Sequence, residues 1–174
     1  MKNFKDTEYY LSMNYLIDLL KEKYSVIKNI TFIKEERKLY YFKCNDNIEI
    51  EILVIPPVST FIEGYKVIFK NKTNNLNIPN IIFFDEHGLI RSEEFYDNKK
   101  LKYETLYRYY ANENLKEKLF FNDKGELHKE DGPAVSKYDI NGKLKKITYY
   151  LNDKKYDEFQ YLVKLANIKE EMNA

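Results

Sequence analysis

The segment ELHKEDGPAVSKYD, residues 126–139, combines several residue types that can do chemistry. One of the chain's two histidines, His128, is followed within three residues by Glu130 and Asp131. An imidazole beside carboxylates can serve general acid–base catalysis or contribute ligands to a metal. A metal site needs three or four convergent ligands, however, and the other histidine, His87, belongs to a different predicted hairpin. We therefore predict no metal or cofactor, and an enzyme built on His128, Glu130 and Asp131 is a remote alternative.

Other signatures of catalysis are missing from the sequence. Cys44 is the single cysteine, so neither an intramolecular disulfide nor a paired-thiolate metal site is available. The five glycines form no phosphate-binding loop, and no H-E-x-x-H motif or calcium loop occurs. The sequence therefore predicts a protein that is not an enzyme.

The composition is that of a folded domain with balanced charge. Of 174 residues, 44% are hydrophobic and 33% are charged, with a formal net charge of +1. Balanced charge and only three arginines disfavour base-specific recognition of nucleic acid. No apolar run reaches the length of a spanning helix and no signal-peptide pattern is present, so we predict a cytoplasmic protein. The abundance of Lys, Asn, Ile and Tyr indicates an AT-rich genome, such as that of a bacterium or its phage.

Residues 1–78 predict a helix followed by an antiparallel β-meander. After a potential N-cap at Asp6 or Thr7, apolar residues recur at helical spacing. This stripe consists of Tyr10, Met13, Ile17, Leu20 and Tyr24. The predicted strands are 25–33, 38–44, 48–55 and 60–69, with turns at 34–37 and 45–47. The polar, turn-rich stretch 70–80 is the best candidate for a boundary between two lobes.

Residues 79–174 contain three repeats of about 25 to 29 residues. Each begins with an aromatic residue and has an Ile or Leu six residues later. An adjacent aromatic pair follows five and six residues after that, and a second turn comes after the pair. The leading aromatics are Phe84, Tyr109 and Tyr138, and the aliphatics are Ile90, Leu115 and Leu144. The pairs are Phe95–Tyr96, Phe120–Phe121 and Tyr149–Tyr150. Turn-forming residues follow each leading aromatic, at His87–Gly88, Asn112–Glu113 and Asn141–Gly142. This spacing predicts stacked β-hairpins.

The final residues predict a helix that caps the repeats. Asp157 is a suitable N-cap for the stretch that follows it. Phe159, Leu162, Val163 and Ala166 fall on one helical face, which we expect to pack on the last repeat. The predicted fold class is thus α+β and mostly antiparallel β, with lobes at 1–78 and 79–174 or one continuous domain.

The motif GELHKEDGPAV, followed by a tyrosine, NGK and YYLNDKKYDEFQYL, resembles the MORN-like repeats of bacterial, phage and giant-virus proteins. The resemblance covers about residues 83–165, and only the second repeat has the full motif. It implies a hairpin scaffold, and some relatives of this kind are antitoxin-like. In this reading His128, Asp131, Gly132 and Pro133 fasten a turn, with a hydrogen bond between His128 and Asp131.

Adjacent aromatics on a strand point to opposite faces, so one of each pair is expected to be buried and the other exposed. An outward row of aromatics next to lysines is suited to binding a partner. The candidate partner-binding residues are Tyr96, Tyr109, Phe121, Lys143, Lys145, Lys146 and Tyr149. Charge also changes along this half, from acidic in 79–98 to basic in 141–155.

These patterns favour a non-enzymatic module that binds another protein and modulates or inhibits it. An antitoxin, or a phage-encoded inhibitor of a bacterial defence nuclease of the anti-CRISPR kind, agrees with the size and composition. The alternative is an RNA or single-stranded DNA binder that uses exposed Tyr and Phe together with Lys143, Lys145 and Lys146.

Overall fold

The computed structural model describes residues 8–24, 27–44, 48–55, 64–70 and 78–173. Within these ranges, two helices flank eleven strands along the chain. The helices are α1 (Glu8–Lys23) and α2 (Glu158–Asn173). The first five strands are β1 (Thr31–Glu36), β2 (Leu39–Lys43), β3 (Glu49–Ile55), β4 (Gly64–Lys70) and β5 (Ile81–Asp85). The other six are β6 (Ile90–Asp97), β7 (Lys100–Tyr109), β8 (Leu115–Asn122), β9 (Val135–Tyr138), β10 (Leu144–Leu151) and β11 (Lys154–Tyr156).

The strands follow one another in chain order in an antiparallel sheet, which confirms the predicted α+β class. The chain divides into two compact units, Met1–Ile90 and Arg91–Ala174. The sequence placed its boundary after residue 78, next to the stretch 71–77 that lies outside the described residues.

The first unit has a hydrophobic core between α1 and one face of its strands. Cross-strand pairs such as Tyr40 with Ile52 and Ile52 with Val67 place apolar side chains on the same face, where α1 packs. The helix contributes Met13, Leu16, Ile17 and Leu20. The strands contribute Tyr40, Phe42, Ile50, Ile52, Val54, Val67, Phe69, Ile82 and Phe84. The alternation predicted for residues 48–55 is therefore confirmed, whereas the predicted N-caps Asp6 and Thr7 lie outside the described residues.

One turn in this unit lies elsewhere than predicted. The sequence placed it at 34–37, but β1 continues to Glu36 and the turn is formed by Arg37 and Lys38. Both have positive φ, 51° and 66°, a conformation usual for Asn or Gly in two-residue hairpin turns. With no Asn or Gly to mark it, the turn gave no sequence signal.

The hairpin repeats are confirmed. Ile90, Leu115 and Leu144 are each the first residue of a strand. Four turns share one hydrogen-bond pattern, at 85–89, 110–114, 122–126 and 139–143. In each, the fourth residue has positive φ: Gly88, Glu113, Gly125 and Gly142.

An acidic or amide side chain fastens three of these turns. Asp139 Oδ1 accepts from the backbone N–H groups of Asn141 and Lys143, both at 3.0 Å. Asp85 and Asn122 occupy the same place in their turns and accept two N–H groups each. These bonds lower the pKa of Asp139, the bond from Lys143 having the largest effect.

The second unit is a sheet with a helix at one end. On α2, Tyr161, Leu165 and Ile168 pack against residues of β10 and β11, which are Tyr149, Leu151 and Tyr156. The predicted cap is confirmed: Gln160 N–H donates to Asp157 Oδ1 at 2.8 Å. The predicted packing face is wrong, because Phe159, Leu162, Val163 and Ala166 are exposed. The tyrosine at 161 selects the buried face, since its hydroxyl bonds to the loop before β9.

Candidate functional site

Strand pairing gives the sheet of the second unit two distinct faces. We call the face under α2 the helix face; it carries Tyr107, Lys118, Phe120, Ser136 and Tyr149. We call the opposite face, which no helix of this unit covers, the open face. It includes Glu94, Tyr96, Glu104, Leu106, Arg108, Glu117, Leu119, Phe121, Val135, Lys137, Lys146 and Thr148, assigned by their register and alternation.

A row of charges crosses one end of the open face. Arg108 Nη1 lies 2.9 Å from one carboxylate oxygen of Glu117, and Lys137 Nζ lies 3.0 Å from the other. Lys146 stands directly opposite Lys137 on the next strand and has no ion pair within the described residues. Three cations and one anion leave this end with a surplus of positive charge. We call it the basic end.

The other end of the open face is acidic. Glu94 and Glu104 form a directly opposed cross-strand pair, and the Tyr96 hydroxyl donates to Glu94 at 2.8 Å. Burial, and then the neighbouring Glu94 carboxylate, raise the pKa of Glu104. The hydrogen bond to Glu94 likewise raises the pKa of the Tyr96 hydroxyl.

Apolar side chains lie between the two ends. Leu106, Leu119 and Val135 are opposite one another on three successive strands. Leu119 and Val135 are buried, and Leu106 is half-buried. Phe121, opposite Glu104, is half-buried at the acidic edge of this row. The open face thus has an apolar centre between an acidic end and a basic end.

On the helix face, cations cover aromatic rings. Lys118 Nζ lies 5.2 Å from the ring centre of Tyr107 and 4.8 Å from that of Phe120, and Lys129 Nζ lies 4.2 Å from the latter. Glu93 accepts the Tyr107 hydroxyl, and burial together with that carboxylate raises the pKa of Tyr107. The ammonium groups are attracted to the faces of these rings, so both are already engaged in contacts within this unit.

The predicted partner-binding residues are divided between these faces. Tyr96, Phe121 and Lys146 lie on the open face, whereas Tyr109 and Tyr149 lie on the helix face. The Tyr149 ring packs on Tyr161 at 4.7 Å, so α2 covers it. The remaining two, Lys143 and Lys145, belong to the 139–143 turn and the strand just after it, where Lys145 pairs with Asp139.

The aromatic pairs differ from expectation in burial. Phe120 and Phe121 are opposite Thr105 and Glu104, so they do point to opposite faces. All six residues of the three pairs are half-buried, however, rather than one buried and one exposed. The reason is that, among the described residues of this unit, α2 covers only one end of one face of the sheet.

Hydrogen bonds and ion pairs hold the segment around His128 in place. His128 Nδ1 accepts the Asn152 N–H at 3.2 Å, and its Nε2 is 3.3 Å from Glu130. Asp131 pairs with Lys129 at 3.4 Å, so the expected bond between His128 and Asp131 is replaced by these two contacts. The segment is therefore held by neighbours other than the predicted one.

Hydrogen bonds from two side chains to backbone groups tie the same segment to α2 and to the turn between β10 and β11. Tyr161 Oη accepts the Gly132 N–H at 3.0 Å and donates to the Lys129 carbonyl at 2.8 Å. Asp153 Oδ1 accepts the Leu127 N–H at 2.7 Å. Gly132 has a φ of 146°, which favours glycine there. Within the described ranges, no group of three His, Cys, Asp or Glu residues could hold a metal ion.

Sequence reasoning missed most of the open face. Glu104, Leu106 and Arg108 alternate along β7, and Glu117 and Leu119 do the same along β8. This period of two was a usable signal, but it does not reveal which charges on different strands become neighbours. That depends on register.

No protein-family model, curated protein or solved structure matches the chain. None of the helices in the described part of the chain is long and apolar enough to cross a membrane.

Proposed function

We propose that this protein is a non-enzymatic binding module whose open face docks on a partner protein and modulates or inhibits it. The observation that supports this proposal is the arrangement of charges on the open face. Like charges directly opposite on neighbouring strands destabilise a sheet, and this face has two such pairs, Glu94 with Glu104 and Lys137 with Lys146. A complementary partner would relieve both pairs at once.

The proposed partner presents basic groups to the acidic end, acidic groups to the basic end, and an apolar contact to the centre. An apolar centre within a polar rim is the usual anatomy of protein interfaces, and charge complementarity selects the partner and its orientation. Of the predicted residues, Tyr96, Phe121 and Lys146 take part in this surface.

As the biological setting we propose the cytoplasm of a bacterium, with the protein acting as an antitoxin or as a phage-encoded inhibitor of a defence nuclease. The MORN-like motif and the AT-rich composition support this setting. A broad charged face with an apolar centre suits occlusion of another protein.

Nucleic-acid binding is less well supported. On the helix face, lysine ammonium groups already lie over the rings of Tyr107 and Phe120. On the open face, Tyr96 and Phe121 lie beside Glu94 and Glu104, whose carboxylates repel phosphate. A filter-binding titration with single-stranded RNA and DNA distinguishes the two proposals. An affinity that falls steeply with salt and with the loss of Lys143, Lys145 and Lys146 would favour the alternative.

The decisive test uses Lys146→Glu. This variant replaces a like-charge pair with an opposite-charge pair beside Lys137, so it should fold at least as stably as wild type. It should nevertheless lose at least tenfold in affinity for a partner captured from the host and then purified. Lys124→Glu, an equal charge change at an exposed turn, is the matched control and should bind like wild type. Equal partner affinity of both variants would contradict the proposal.

A further inference from the structure

The turn between β10 and β11 is held in place by the segment that precedes β9. It is formed by Asn152 and Asp153, which both have positive φ. The Asp153 N–H donates to the Leu127 carbonyl at 3.0 Å, and Asp153 Oδ1 accepts the Leu127 N–H at 2.7 Å. The Asn152 N–H donates to His128 Nδ1 at 3.2 Å. Because β11 leads directly into α2, these bonds hold the end of the unit from which the helix starts.

The bond to His128 differs from the others because its acceptor can take up a proton. A ring nitrogen that accepts an N–H carries no proton of its own, so the neutral ring is protonated at Nε2. That nitrogen lies 3.3 Å from Glu130 Oε1, which accepts from it. A second proton would have to go to Nδ1, where it would face the Asn152 N–H. The bond between Asn152 and the ring is therefore available only to the neutral imidazole.

The contact of the ring with Glu130 responds to protonation in the opposite way. An imidazolium and a carboxylate form a charge-assisted hydrogen bond, which is stronger than the bond made by the neutral ring. The His128 side chain is 20% exposed and that of Glu130 is 62% exposed, so water can deliver a proton to the ring. A proton thus removes one contact, which joins two segments, and strengthens another within a single segment.

We propose that His128 is a pH-sensitive switch on the turn between β10 and β11. The neutral imidazole holds the turn through the Asn152 N–H, and the imidazolium pairs with Glu130 and releases it. Histidine is the side chain that ordinarily changes charge between about pH 5 and 8, so the switch responds to mild acidification. It uses no residue of the open face, and it sets how firmly the last hairpin and the start of α2 are held.

The charged and titratable groups on the elements packed against this segment have partners of their own. On the turn, Asp153 accepts a backbone N–H and the Lys154 ammonium group lies over an aromatic ring. From β8 comes a neutral amide, Asn122, which donates to Glu126. The Tyr161 hydroxyl of α2 bonds to backbone groups of the same segment. The carboxylate of Glu130 is therefore the group placed to receive the protonated ring.

Nuclear magnetic resonance of the ¹⁵N-labelled full chain tests the switch in a titration from about pH 8 to about pH 5. At the upper end, the His128 ring should carry its proton at Nε2. The Asn152 amide resonance should then move with the same midpoint as the ring, and its hydrogen exchange, relative to the intrinsic rate at each pH, should become at least about threefold faster. Gly142, whose N–H donates to the Asp139 carbonyl in another turn, is the reference. A neutral ring protonated at Nδ1, or an Asn152 resonance that does not follow the ring, would overturn the proposal.

Substitutions separate protonation of the ring from its mere presence. His128→Asn keeps a side-chain acceptor near the place of Nδ1 but does not titrate, so the Asn152 amide resonance should stay constant over the whole range. An Asn152 amide that still titrates in this variant would refute the role of the ring.

The partner of the imidazolium is tested in the same titration. Glu130→Gln removes the carboxylate that pairs with the protonated ring, so the midpoint should move to lower pH. Asp131→Asn is the matched control, because this neighbouring carboxylate pairs with Lys129 instead, and it should move the midpoint less. Equal changes of the midpoint in the two variants would contradict the role of Glu130.

Discussion

Both units of this protein consist largely of antiparallel strands, but the strands are buried to different extents. In the first, a helix lies over one face, and seventeen of the described residues are buried in one hydrophobic core. In the second, the corresponding cluster has three buried residues and lies only at the end covered by α2. The remaining strands of the second unit are joined by turn hydrogen bonds, ring–cation contacts and charge rows.

This difference shows how a sheet can leave one of its faces uncovered by the helix of its own unit. Where a helix covers one face, the apolar side chains of that face are committed to the core and cannot bind anything else. Where no layer covers it, stability must come from local turns and cross-strand pairs, each of modest size. The unit with the smaller core therefore leaves more of its strand side chains outside a buried core.

The largest expected effect is the loss of stability when one buried side chain is shortened in each unit and the two losses are compared. Ile52→Ala, which leaves a closed cavity in the first unit, should lower the free energy of unfolding by about 2–5 kcal/mol. Leu119→Ala in the second unit should lower it by roughly 1–2 kcal/mol, because water can reach the vacated space on an uncovered face. Urea unfolding followed by circular dichroism measures both. Equal losses would contradict the contrast between the units.

Tyr161→Phe tests the attachment of α2 to the hairpin sheet. It removes a hydroxyl that accepts the Gly132 N–H and donates to the Lys129 carbonyl, while the ring is retained. We expect a loss of about 1–2 kcal/mol. Hydrogen exchange should speed up at Gly132, and the amides of β3 should serve as an unchanged reference. Unchanged exchange at Gly132 would show that this bond does not hold the loop.

His128→Ala tests whether the segment around His128, which contains the residue types best suited to catalysis, has a structural role only. Loss of the acceptor for Asn152 N–H should lower stability by roughly 0.5–1.5 kcal/mol, since that N–H is exposed enough for water to replace the bond. Binding to a purified partner should stay within twofold of wild type. A stable variant that no longer bound the purified partner would instead establish a functional role for the imidazole.

The smallest expected effect is a pH-dependent change in the free energy of unfolding that arises from Glu104 on the open face. The pKa of Glu104 is raised from its usual 4.5, so its ionised form is less favourable in the folded chain than in the unfolded chain. The resulting destabilisation is absent below that pH and develops as the pH rises through the folded-state value. Glu104→Gln should therefore be slightly more stable than wild type at neutral pH and equal to it in acid. Thermal melts across this range measure the difference, with exposed Glu113→Gln as the control.

Much of the fold could be predicted from local patterns. The period of two in residues 48–55, the spacing from each leading aromatic to its aliphatic, and the N-cap at Asp157 each depend on neighbours within a few residues. The Arg37–Lys38 turn was missed because neither residue type is typical of positive φ. The buried side of α2 was misassigned because both sides are apolar, and only the contact between Tyr161 and a loop about thirty residues away distinguishes them.

The sequence by itself determined the hairpin repeats, most of the turns and the two terminal helices, because hydrogen bonds and side-chain periodicity act over short chain distances. It also indicated that the HKED segment belongs to a repeat. Tertiary structure alone decided which charges meet. Strand register placed Glu94 opposite Glu104 and Lys137 opposite Lys146, and a shift of one residue would have moved these side chains to the other face. The candidate surface is a property of that register.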